Sequence, residues 1–82
     1  MITVKVEGAW LLVSGAGAGE LWIALHDVRA VGTAHARGGW HVVIEQAGRR
    51  ERCVYVEDED AAEQLAAEVR AAKDRAHERR VA

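Results

Sequence analysis

Residues 40–65 read WHVVIEQAGRRERCVYVEDEDAAEQL, and the change of grammar inside this stretch decides the fold. Trp40 to Gln46 and Arg52 to Val56 are apolar, β-branched runs. They flank Ala47-Gly48-Arg49-Arg50-Glu51, so the segment predicts a hairpin with a loop over 47–51. From Asp58 onward Ala, Glu, Leu and Arg dominate and no Gly or Pro interrupts them, which predicts a helix over about 58–79. Asp60 with Glu63 three residues later fits a capping box, and Asp58 is a competing N-cap. Ala62, Leu65, Val69, Ala72 and Ala76 recur at helical spacing and form a narrow apolar stripe, with Leu65 and Val69 its only large members. Residues 57–68 carry six acids and no base, and residues 70–80 carry five bases and two acids. That order suits the helix macrodipole and reads as helix stabilisation rather than as a binding surface.

Toward the N-terminus the pattern is β. Ile2, Val4 and Val6 alternate with Thr3, Lys5 and Glu7, as in a strand with one wet face. Gly8 breaks the run, and Trp10-Leu11-Leu12-Val13 is apolar on both parities, as in a more central strand. A small-residue loop, Ser14 to Gly19, leads into Leu21-Trp22-Ile23-Ala24-Leu25. Val28 to Thr33 continues or restarts that strand after His26-Asp27, and Gly38-Gly39 marks a turn. The expected fold is α+β and mostly β: a twisted antiparallel sheet or partial barrel of five to six strands, about 2–57, and one C-terminal helix. The 82 residues form a single domain.

Composition bounds the function classes. Half the residues are apolar and 29% are charged, the mix of a globular chain rather than a disordered one. No apolar run approaches the ~18 residues of a membrane span, and Lys5 and Glu7 come too early for a signal peptide, so a cytoplasmic location is expected. Cys53 is the one cysteine and has no partner for an internal disulfide. A formal net charge of −2 removes the global electrostatic case for nucleic-acid binding. Sixteen Ala and nine Arg against two Lys are the usage of a GC-rich genome, such as those of many bacteria and phages.

The chemistry-bearing residues are sparse. Gly15, Gly17 and Gly19 lack the Gly-Lys-Ser/Thr ending and following helix of a phosphate-cradling loop. His26, His35, His41 and His77 with Asp27 and Cys53 show no metal-ligand spacing, so neither metal nor cofactor is expected. Cys53 and His41 stand on neighbouring strands of the hairpin, the minimum for a thiol nucleophile and base, but a lone strand cysteine is more simply packing. Arg49, Arg50 and Arg52 form a basic hairpin tip that could grip an anion, offset by Glu51 and without an interleaved aromatic for base stacking. Strict alternation turns Trp40, Val42 and Ile44 inward with Val54 and Val56. His41, Val43, Cys53 and Tyr55 then face outward, as does Trp22. An outer face holding Trp22, Val43 and Tyr55 is too apolar for a plain wet surface, so either closure of the sheet into a barrel or a partner chain should cover it. Trp22, His41, Val43 and Tyr55 are the candidate binding residues there, with Arg49 and Arg50 at the hairpin tip.

The phrase Ile23-Ala24-Leu25-His26-Asp27-Val28-Arg29-Ala30-Val31, with a C-terminal helix opening on Asp58-Glu59-Asp60-Ala61-Ala62-Glu63-Gln64-Leu65, resembles a bacterial pleckstrin-homology-like (PH-like) domain over roughly residues 2–76. The resemblance implies a β-barrel plugged at one end by the helix, and with five or six strands it implies completion by a second chain. Lipid-binding members use a basic loop between early strands, whereas Ser14-Gly15-Ala16-Gly17-Ala18-Gly19 carries no base, so phosphoinositide binding is not implied. The expected function is a small non-catalytic PH-like protein-interaction module working as a homodimer, with an unidentified protein partner. The alternatives are a nucleic-acid-binding β-sheet domain and, behind it, a Cys53-dependent enzyme.

Overall fold

A computed structural model describes residues 2–15 and 19–81, with the backbone alone at 79–81. The loop read over 14–19 therefore lies partly outside the described residues, as do the side chains of Arg79 and Arg80. Among the described residues six strands follow one another as β1 (Thr3–Glu7), β2 (Trp10–Ser14), β3 (Leu21–Ala24), β4 (Val28–Ala36), β5 (Gly39–Gln46) and β6 (Arg52–Val56), and α1 (Glu59–Val81) comes after them. They make two antiparallel three-stranded sheets, β1-β2-β3 and β4-β5-β6, rather than one continuous sheet.

The turns explain the pairing. Glu7 pairs with Trp10 across Gly8-Ala9, and Gly8 has φ +60°, as the first central position of a type II′ hairpin turn requires. Ala36 pairs with Gly39, so the second tight turn is Arg37-Gly38 and Gly39 opens β5. Both central residues have positive φ, 54° at Arg37 and 76° at Gly38, which is the type I′ signature. The turn lies one residue earlier than Gly38-Gly39 suggests, because Gly39 is needed as a paired strand residue.

Between the sheets the chain takes a single 3-10 turn, Leu25–Asp27. Leu25 N donates to Ala9 O at 2.9 Å on one side, and Ala47 N donates to Asp27 O at 2.7 Å on the other. The corner is thus bonded to a turn of each sheet. A bulge follows, for Val28 pairs with Gln46 while Ala30 pairs with Glu45, which leaves Arg29 unpaired. The 3-10 turn carries the inward direction from Leu25 to Val28, and the bulge carries it on to Val31. Three-residue steps that a flat strand would point to opposite faces are therefore all core-facing.

The core joins Leu11, Val13 and Ile23 of the first sheet, Leu25 and Val28 of the corner, Val42, Ile44 and Val54 of the second sheet, and Ala62, Leu65, Ala66, Val69 and Ala72 of α1. Ala66 is the one member of the helical stripe that the spacing rule omitted. Asp58 is the N-cap: its Oδ1 accepts from Ala61 N at 2.8 Å, which leaves Asp60 inside the helix rather than at the head of a capping box. The helix also closes an exposed sheet edge. Arg70 Nη2 donates to Val31 O at 2.7 Å and Lys73 Nζ donates to Arg29 O at 3.1 Å, so β4's outward carbonyls are occupied by charged donors.

Candidate binding faces of the two sheets

The register of the first sheet sorts its side chains. Leu11, Val13 and Ile23 face the core, so Lys5, Leu12 and Trp22 form one outward row and Glu7, Trp10 and Ala24 the next. Leu12 is half-buried, whereas Trp10 and Trp22 are 47% and 45% exposed. The two indoles are diagonal neighbours on adjacent strands, a spacing at which aromatic side chains share one surface. Polar groups ring this centre. Thr3 Oγ1 and Ser14 Oγ share a hydrogen bond at 2.7 Å, and Lys5 Nζ meets Glu7 Oε1 at 3.0 Å in an exposed ion pair. An apolar centre with a polar rim is the anatomy of a protein–protein contact surface.

The second sheet has a different outer face. Ala34, His41 and Tyr55 form one cross-strand row, and Gly32, Val43 and Cys53 the next. Small residues on β4 leave the outer side of β5 low. Tyr55 is 58% exposed, Val43 half-buried, and Cys53 exposed and free.

Three sequence expectations need correction here. Trp22 does not share a face with Val43 and Tyr55, because the 3-10 corner divides the strands into separate sheets. Trp22's neighbours are instead Trp10 and Leu12, which sequence reasoning missed. The signal was present: a two-residue turn at Gly8-Ala9 places Trp10 opposite the wet Glu7. His41 has the outward parity expected of it but is only 9% exposed, for the Tyr55 ring lies 5.3 Å from it at 46°. Its Nδ1 is buried without a hydrogen-bond partner, so no bond through that atom ties it to Cys53.

Arg49 and Arg50 are exposed in the β5–β6 loop, where Arg49 N donates to Gln46 O and Gln46 Nε2 donates to Arg50 O, both at 3.4 Å. They stand apart from both sheet faces. Among the described residues no three of His, Cys, Asp and Glu come together in a metal-binding group, and no helix is long and apolar enough to cross a membrane. No family model, curated protein or solved structure matches the chain.

Proposed function

We propose that this chain is a small non-catalytic, PH-like protein-interaction module that works as a homodimer through the outer face of its first sheet. The observation that carries the reading is the Trp10–Leu12–Trp22 patch, two half-exposed indoles and a half-buried leucine on adjacent strands. Trp is the residue type most enriched among interface anchors, since it covers large area with few rotors and keeps a polar N–H at its edge. Covering the exposed half of an indole removes about 100 Å², or about 2.5 kcal/mol at ~25 cal/mol/Å², before the entropy of association is subtracted. The rim suits a second copy of the same surface: it holds one cation and one anion, Lys5 and Glu7, so neither copy presents net like charge to the other.

The PH-like part of the reading is supported by the run of antiparallel strands ending in a single helix packed on the core. Six strands in two open sheets fall short of a closed barrel, which favours completion by another chain. Light scattering and sedimentation at micromolar concentration test the dimer. The expected species has twice the 8.9 kDa chain mass and reverts to the monomer on Trp10→Ala with Trp22→Ala. A parent protein that stays monomeric throughout that range refutes it. An exposed aromatic sheet is also the form of a single-strand-binding platform. Retardation of labelled single-stranded DNA by the parent, abolished by the same two substitutions, would move the assignment to nucleic acid.

A further inference from the structure

A cleft of about 550 Å³ lies between the β1–β2 turn, the 3-10 corner and the C-terminal half of α1. Its floor is Val6, Leu25, Ala72 and Ala76, and Arg75 and His26 supply its polar side chains. Val6 is the anomaly that marks it. By register Val6 stands in the core-facing row with Leu11 and Ile23, which are 0% and 1% exposed, yet Val6 is 40% exposed. A core position has been left open, with the buried Leu25 and Ala72 beneath the same space.

The lining selects the ligand's chemistry. Among the described residues no carboxylate lines the cleft, and the only ion pair is Lys5–Glu7, so no described carboxylate pairs with the Arg75 guanidinium. Arg75 is the one permanent cation among the described lining residues, which matches a monoanion, and a planar guanidinium donates two parallel hydrogen bonds to a carboxylate. His26 also lines the cleft. Elsewhere the lining side chains are aliphatic, and the carbonyl of Ala9 is already taken by Leu25 N. A peptide would bring an amide at every residue into a site with few partners for it. A ligand that is polar at one end and aliphatic along the rest has no such cost.

We infer that this cleft binds a medium-chain aliphatic carboxylate, its chain over Val6, Leu25 and Ala76 and its carboxylate against Arg75 with His26 beside it. The inference is independent of the dimer, since neither Trp10 nor Trp22 lines the cleft.

Calorimetric titration of the full chain tests it, using decanoate, decanol and decyltrimethylammonium, each below its micelle concentration. Decanoate is expected to bind saturably at one site per chain, at least tenfold more tightly than decanol, with no saturable binding of the cation. Arg75→Gln, at an exposed residue, is expected to reduce decanoate to the level of decanol. Ala76→Phe, which fills the cleft, is expected to abolish both. Should Ala76→Phe fail to fold, Val6→Gln makes the same test at a position already in contact with water. Absence of saturable decanoate binding overturns the proposal, and so does decanoate binding that Arg75→Gln leaves unchanged. Equal affinity for decanoate and decanol in the parent overturns the carboxylate assignment.

Discussion

Truncation of Leu65 to Ala is the sharpest test of how the helix is held. Leu65 is 5% exposed and is the largest side chain that α1 places in the core, where its companions are Ala62, Ala66, Val69 and Ala72. Removing a buried leucine side chain beyond Cβ typically costs ~2–5 kcal/mol, the spread reflecting how far neighbours relax into the cavity. The cluster that would have to relax around it includes both these helix alanines and the larger side chains of the sheets, and a cost of about 3 kcal/mol is expected. A domain of this length has a total stability of roughly 4–12 kcal/mol, so the substitution removes a quarter of it or more. At ~4–8 °C per kcal/mol for a small domain, the melting temperature is expected to fall by about 12–24 °C. Thermal unfolding followed by circular dichroism measures this, with Gln64→Ala as the exposed control that stays within ~0.5 kcal/mol of the parent. A fall for Leu65→Ala no larger than the control's would mean that the helix is not docked through this stripe, and the core assignment would fail with it.

Smaller perturbations address the other elements. Asp58→Ala removes the acceptor for Ala61 N and is expected to cost ~1 kcal/mol, read as a lower urea midpoint with an unchanged slope; an unchanged midpoint rules out Asp58 as the cap. Arg37→Asn puts the residue type preferred in type I′ turns at a φ of 54° and is expected to raise stability by up to ~1 kcal/mol in the same assay, whereas a loss would contradict the turn assignment. Replacing Arg70 and Lys73 together by Met uncovers the Val31 and Arg29 carbonyls on the edge of β4. Turbidity is then expected at protein concentrations where the parent stays clear, and a variant as soluble as the parent would show that these two side chains do not guard the edge.

What the sequence determined by itself is what depends on local periodicity and backbone chemistry. Alternation marked the strands, the Ala/Glu/Leu/Arg run marked the helix, and the inward parity of Val42, Ile44 and Val54 followed from the two-residue repeat, because each reports which side of its own element is dry. The helix N-terminus was legible only to within two residues, since Asp58 and Asp60 are both capable caps and the choice rests on which amide the folded backbone presents. Tertiary structure decided the rest. Whether Leu21 to Ala36 is one long strand or two depends on a 3-10 corner held by bonds to Ala9 and Ala47, 16 and 20 residues away from their partners in the chain. That corner split the anticipated single face, sent Trp22 to join Trp10, and left Val43 and Tyr55 on another sheet. The burial of His41 under Tyr55 and the exposure of Val6 in a core-facing row have the same origin. Alternation tells a side chain which way to point, but what stands in front of it is set by segments distant in sequence, and only the assembled fold brings those to it.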